Sequence, residues 1–213
     1  MKYFIDSADR CQIDHCLSLG IQGVTANPTM YKNCQENFYE FLTYYSQKNC
    51  EFLSAEVMGD TVEEMLEEAK KIHEIDPKIV IKINFSQAGL QACHQLSQEN
   101  IACAMTLVFT IPQAIAAMQA GAAYIFAFIG RNDEYGSDGL QFICDLQDIV
   151  EHKQYSTKIV AASIKNLHQL DVIACAGIDY AAIPYALYLK SLQHPLTESG
   201  AQTFKEDWKH VQK

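Results

Sequence analysis

Long apolar runs, basic charge and paired cysteine spacings are all scarce in this sequence, and each scarcity closes a class of function. No apolar stretch is long enough to cross a bilayer, so no membrane partner is expected. Lys and Arg number 16 against 26 Asp and Glu, a formal net charge of -10, which argues against a nucleic-acid surface as the main business of the protein. A small phosphorylated molecule stays open, because one local cluster of cations can hold it. The eight cysteines (Cys11, Cys16, Cys34, Cys50, Cys93, Cys103, Cys144 and Cys175) include no C-x-x-C pair, which removes zinc-ribbon and thioredoxin-like readings. Several lie in apolar segments such as IACAMTLV and DVIACAGI and read as small buried hydrophobes of a reducing cytoplasm. H-E-x-x-H, EF-hand and P-loop motifs are missing, and the seven histidines show no ligand spacing, so no metal site is expected. Asp6 stands where a secretion signal needs its apolar core, so no leader is expected. No Pro- or Ser-rich linker divides the chain, and residues 1–213 read as one domain.

What is present is a rhythm. Eight short apolar runs, KYFID, GVTANP, FLSAEV, KIVIKIN, IACAMTLVF, AYIFAFIG, KIVAAS and DYAAIP, alternate with longer amphipathic stretches. The clearest helix is TVEEMLEEAKKIHEI, with Val62, Met65, Leu66, Ala69 and Ile72 on one face and a capping box from Thr61 to Glu64. Eight strand–helix units in 213 residues predict a compact, single-domain α/β (β/α)8 TIM barrel. A doubly wound sheet would ask for a glycine-rich turn after the first strand, yet no glycine follows until Gly20. Residues 197–211 read as an extra C-terminal helix on which Phe204 and Trp208 share a face, docking on this subunit or a neighbour.

In such a barrel the C-terminal ends of the strands build the active site. Those ends carry Asp6, Thr25 with Asn27, Glu56, Lys82 with Asn84, Thr106, Arg131, and Ser163 with Lys165. Lys82 interrupts the apolar run Ile79-Val80-Ile81-Lys82-Ile83, where an ammonium is costly unless paired or used. Alternation puts Val80, Lys82 and Asn84 on one face. If that face lines the barrel, desolvation disfavours the charged amine and leaves the free base available as a nucleophile. The bland alternative is a lysine snorkelling to solvent or paired with Glu56. Asp6 and Glu56 suit proton transfer in Schiff-base chemistry, although each could equally be a helix cap or a rim charge. Ser163 and Lys165 are read as opening the helix after the seventh strand, and with Arg131 they would form a phosphate seat; solvated loop residues are the alternative.

Taken together, KYFIDSAD, GVTANPT, AEVM, IVIKI, TLVF, FIGR, AASIK and the segment around HPLT resemble the transaldolase family, in particular its short bacterial branch that includes fructose-6-phosphate aldolase. The resemblance covers nearly the whole chain. It implies a (β/α)8 barrel with the Schiff-base lysine at Lys82, the proton-transferring aspartate at Asp6, and a catalytic water held by Glu56 and Thr106. It places phosphate binding on Arg131, Ser163 and Lys165. Asn27, with Thr25 near it, falls on substrate hydroxyls, and Phe128 on the ring over the reacting centre. No cofactor is implied, because the iminium is itself the electron sink. Sugar phosphates as substrates, the pentose phosphate pathway and a homo-oligomer, pentameric or decameric, also follow from the resemblance.

Glu56 and Phe128 are of the transaldolase type, where the aldolases of the branch carry glutamine and tyrosine. Other positions depart from the family pattern. Ala26 replaces a threonine and Asn84 a proline. Ala104 replaces an asparagine and Phe126 a serine, which removes two hydrogen-bonding groups from the donor side and predicts weak or altered donor use. Three functions follow as expectations: a transaldolase moving a dihydroxyacetone unit between sugar phosphates, an aldolase releasing free dihydroxyacetone or a simpler ketone, and a sugar-phosphate-binding barrel with weak catalysis.

Overall fold

A computed structural model describes residues 1–48 and 50–211. Eight parallel strands close in sequence order into a barrel: β1 (Lys2–Asp6), β2 (Gly23–Thr25), β3 (Phe52–Val57), β4 (Val80–Asn84), β5 (Cys103–Val108), β6 (Tyr124–Phe128), β7 (Lys158–Ala162) and β8 (Tyr180–Pro184). Each coincides with one of the eight apolar runs. Helices cover the outside: α1 (Arg10–Ser18), α2 (Pro28–Cys34), α3 (Phe38–Ser46), α4 (Val62–Ile75), α5 (Gln87–Gln98), α6 (Ile111–Gln119), α7 (Gly130–Glu134), α8 (Gly139–Lys153), α9 (Leu167–Cys175), α10 (Tyr185–Ser191) and α11 (Pro195–Val211). The fold is the (β/α)8 barrel with an extra C-terminal helix. Two units depart from one strand, one helix: β2 is followed by α2 and α3, and β6 by the short α7 and then α8.

Alternation along the strands sorts side chains between two cores. Except on β2, where the parity is reversed, odd-numbered strand residues such as Ile5, Ile81, Ile83, Met105 and Ile125 face the helices and are buried with Ile13, Leu42, Ile72 and Leu96. Even-numbered residues fill the barrel: Phe4, Phe52, Val80, Ala104, Phe126, Val160, Ala162 and Ala182 form a separate apolar cluster. Four rings plug its N-terminal end. Phe4 stacks on Phe52 at 4.0 Å and on Tyr180 at 4.5 Å, Phe52 meets Tyr124 edge-on at 5.1 Å, and Tyr124 lies 6.1 Å from Tyr180. Phe4 fits because β2 offers Gly23, where a Cβ would stand 2.0 Å from Phe4 Cδ1. With that end filled, the barrel opens only where the strands finish.

The outer shell follows the sequence closely at α4. Thr61 Oγ1 accepts from the Glu64 backbone and Glu64 Oε2 accepts from the Thr61 backbone, the reciprocal capping expected there. Met65, Ala69 and Ile72 are buried on its inner face. At the other extreme α11 has no buried residue. No described helix is long and apolar enough to cross a membrane.

Candidate active site

The C-terminal mouth of the barrel holds a cavity of about 540 Å³. Its polar wall comes from β1, β3, β4, β5 and the loop after β2: Asp6, Asn27, Glu56, Lys82, Asn84 and Thr106. Its other wall, from β6 to β8, is Phe126, Phe128, Ala162, Ala182 and Pro184. Arg131, Ser163 and Lys165 stand along its edge.

Lys82 is on the inner face, as alternation from Val80 requires, and is 4% exposed. Its Nζ lies 3.1 Å from Glu56 Oε2, 3.5 Å from the Ala26 carbonyl and 4.9 Å from the centroid of the Phe126 ring. β3 and β4 place Glu56 and Lys82 directly side by side in register. A buried ion pair of this kind is a poor way to gain stability, since apolar replacements of similar volume are often neutral or better by about 1–4 kcal/mol. The amine is therefore better explained by chemistry than by packing. Asp6 ends β1 in the same cavity. Burial pushes its carboxyl up to about 6; Lys82 pulls it back toward the ordinary carboxylate range and the Glu56 charge pushes it higher. The amine thus faces one carboxylate at contact distance and a second carboxyl that titrates near neutrality.

The remaining polar groups are aimed by local structure. Thr106 Oγ1 is buried, with no hydrogen-bond partner among the described residues. It lies within a bulge where the β5–β6 register shifts between Met105 and Val108, with Leu107 at φ 56°. Bulges of this kind re-aim side chains beside active sites. Asn27 caps α2 by accepting from the Met30 backbone with Oδ1, so its amide nitrogen is left for the cavity. Thr25 differs from the rest. It is 1% exposed, is not part of the cavity lining, and its hydroxyl accepts from Ser54 Oγ at 2.9 Å. A direct contact between Thr25 and a substrate has no support in this position.

At the rim, Arg131 stacks its guanidinium 5.2 Å from the Phe128 ring centroid. Ser163 sits in the left-handed region at φ 60°. Ser163 and Lys165 do not open a helix, contrary to the sequence reading: α9 begins at Leu167, capped by Asn166, whose side chain accepts from the Gln169 backbone. Asn takes the cap because its side chain satisfies a free helical N–H, which leaves Ser163 and Lys165 in the preceding loop. That loop is nonetheless fixed. Gln169 Oε1 accepts from the Lys165 backbone at 2.7 Å while its amide donates to Asp133 at 2.7 Å, and the Ser163 carbonyl accepts from Gly130 N at 3.1 Å. Lys165 Nζ is 3.1 Å from Glu134 on the exposed edge. Two positively charged side chains and a hydroxyl thus share one edge of the cavity.

Several site features were missed by sequence reasoning. Tyr31 lies behind Glu56 with its hydroxyl buried and unpartnered among the described residues; burial and the nearby Glu56 and Glu36 charges push its ionisation up. Met58 takes a weak contact from Asn84 Nδ2 at 3.9 Å. The Asp133–Gln169 brace joins the consecutive units that follow β6 and β7 across 36 residues. An apparently ordinary helix tyrosine, a methionine and a helix glutamine carry no local signal of these contacts.

Comparison with known proteins gives the family. Residues 3–213 match the family model described as transaldolase/fructose-6-phosphate aldolase. A protein of Streptococcus agalactiae serotype V named probable transaldolase is 39% identical over 214 residues, covering all of both chains. Proteins of the same name from Streptococcus pyogenes serotypes M2 and M5 are 39% and 38% identical over 218 residues, again with full coverage of both. The chain belongs to the transaldolase/fructose-6-phosphate aldolase family.

Proposed function

We propose that this protein is a class I transaldolase that moves a three-carbon ketone unit between sugar phosphates through a Schiff base on Lys82. The observation that carries the reading is the buried amine 3.1 Å from Glu56, in a cavity shared with Asp6 and edged by cations. Glu56 takes the ammonium proton, and the free amine attacks the ketone carbon. Glu56 and Thr106 then hold the water that carries protons as the carbinolamine loses hydroxide and becomes the iminium. Asp6 takes the proton of the hydroxyl next to the breaking carbon–carbon bond, and the bonding pair flows into the iminium to give an enamine. An aldehyde leaves, a second aldehyde enters, and the steps reverse. No metal or organic cofactor is called for, because the iminium accepts the electrons.

Arg131, Ser163 and Lys165 bind the terminal phosphate, with the arginine fork suited to its oxygens. The Asn27 amide meets a substrate hydroxyl, and the Phe128 and Phe126 rings close over the reacting centre. Phe128 has no proton to give the enamine, which favours waiting for an acceptor over release of free ketone. A simple aldolase would release dihydroxyacetone or a simpler ketone without acceptor, and a mere binding barrel would turn nothing over. α11, with its apolar residues exposed, supports a homo-oligomer in which that helix packs on a neighbour.

The test is exchange between a ketose phosphate and an aldose phosphate, with fructose 6-phosphate and its analogue lacking the 1-hydroxyl as donors. Product sugar phosphate forms only when both partners are present, and Lys82→Ala abolishes it. Ketone release that does not depend on an acceptor assigns the aldolase reaction instead. Absence of turnover with every donor removes the enzyme reading.

A further inference from the structure

The cavity that holds Lys82 has a neighbour. A second hollow of about 270 Å³ shares Pro28, Glu56 and Met58 with it, so Glu56 faces two compartments. The rings of Tyr31, Phe38 and Tyr39 form most of the remaining wall, and none of the edge residues Arg131, Ser163 and Lys165 lines it. Its rings run from solvent to interior: Tyr39 is 46% exposed and Tyr31 only 7%. Tyr31 lies on α2 one turn beyond Asn27, the cap that lines the active-site cavity. Phe38 and Phe41 meet its ring edge-on at 5.3 and 5.1 Å and hold it in place. Its hydroxyl is buried and makes no hydrogen bond among the described residues. Burial first, then the charges of Glu56 and Glu36, keep its proton on, so it is a donor near a carboxylate. Glu68 is engaged in the wall itself, accepting from the Met58 backbone at 2.6 Å and the Gly59 backbone at 3.2 Å. A buried hydroxyl in such a place calls for a guest, and a water needs only two such polar partners.

The proposed reaction produces such a guest. The amine adds to the ketone, the carbinolamine C–O bond breaks, and the nitrogen lone pair completes the carbon–nitrogen double bond. The departing hydroxide takes the proton that Glu56 had received from the ammonium, and leaves as water. At that moment the donor fills the barrel mouth, with its phosphate at the edge cations. We propose that the second hollow is a side port for this water, and that Tyr31 is the positioning residue that holds a water against Glu56 there. Through it, the water of Schiff-base formation exchanges with solvent while the mouth stays filled, and water returns by the same way when the iminium is hydrolysed. The inference rests on the Schiff-base reading and adds a route to it. The water lies on the far side of Glu56 from Thr106, so it does not reach the enamine carbon. Tyr31 keeps its proton throughout and acts only through the water and Glu56.

The experiment follows oxygen exchange into the ketone of fructose 6-phosphate, in water enriched in the heavy oxygen isotope, with the uncatalysed rate subtracted. Each cycle of iminium formation and hydrolysis leaves one solvent oxygen in the sugar. Tyr31→Phe should slow the exchange by about tenfold, the scale of one hydrogen bond to a charged group. The inhibition constant of the polyol phosphate made by reducing that ketone, which binds but cannot form an iminium, should stay unchanged. Tyr39→Trp narrows the port at its exposed entrance; it should also slow exchange without changing that constant, and it decides the matter if Tyr31→Phe fails to fold. Exchange as fast as wild type in the variants overturns the port. So does a parallel loss of exchange and inhibitor binding, which would make Tyr31 a packing residue only. A wild type that exchanges no faster than Lys82→Ala is a different failure, since it removes the Schiff-base reading beneath the inference.

Discussion

Burial pushes the Asp6 carboxyl up from 3.8 to about 6 because the loss of water around it outweighs the pull of Lys82. For activity, the sign is simple. In the proposed reaction Asp6 must be ionised to accept the hydroxyl proton, so kcat/KM should fall as pH drops through about 6, and Asp6→Asn should lose that acidic limb together with most of the rate. For stability, the folded protein binds the proton more tightly than the unfolded chain does. Asp6 therefore imposes no penalty below about 3.8, and its cost grows as pH rises and is complete above about 6. Asp6→Asn is expected to be more stable than wild type at pH 8, on the order of 2 kcal/mol, a gain of several degrees in Tm that disappears toward pH 4. Thermal unfolding at the two pH values checks this, and an equal Tm difference at both would contradict it. The meeting of Lys82, Glu56 and Asp6 in one cavity was legible in the sequence, because a charge within or at the end of an apolar run has few cheap explanations. Thr25 was not, since a strand-end threonine looks the same whether it faces a cavity or pairs with Ser54 beneath it.

Among the elements, the turns after β6 and β7 are locked together by a contact that only glycine permits. A Cβ on Gly130 would stand 2.0 Å from the Ser163 carbonyl and 2.6 Å from Lys165 Cγ. Gly130→Ala must push these loops apart and displace Arg131 from Ser163 and Lys165. We expect it to raise KM for a phosphorylated donor severalfold more than for an unphosphorylated ketone, measured by steady-state kinetics on both; equal effects would detach these loops from phosphate binding. The strands were legible because eight apolar runs recur with helices between them, and α4 because its capping box and buried stripe agree. The β5 bulge was hidden, since Thr106-Leu107-Val108 reads as unbroken strand and nothing marks Leu107 for a positive φ. α7, with five residues, is too short to show a periodic face. The start of α9 was misplaced because Ser163 resembles a cap, whereas Asn166 supplies it.

At the scale of the molecule, the barrel is complete without α11, whose Leu196, Phe204, Trp208 and Val211 are 73%, 74%, 58% and 69% exposed. Leu196, Phe204 and Trp208 recur at four- and eight-residue spacings on one side of the helix. So much exposed apolar surface on one helix fits a partner surface better than a solvated one. Native mass spectrometry should find a homo-oligomer, and Phe204→Ala with Trp208→Ala should shift it to smaller species; a wild-type monomer would contradict that assembly. The central claim concerns one nitrogen, and its most direct test is to locate the bond that nitrogen makes. The intact protein is reduced with borohydride in the presence of a ketone donor, digested, and the fragments weighed. The account predicts the added mass on the fragment bearing Lys82, and none elsewhere at comparable yield. An adduct confined to Lys165 or another exposed lysine, with Lys82 unmodified, would contradict it.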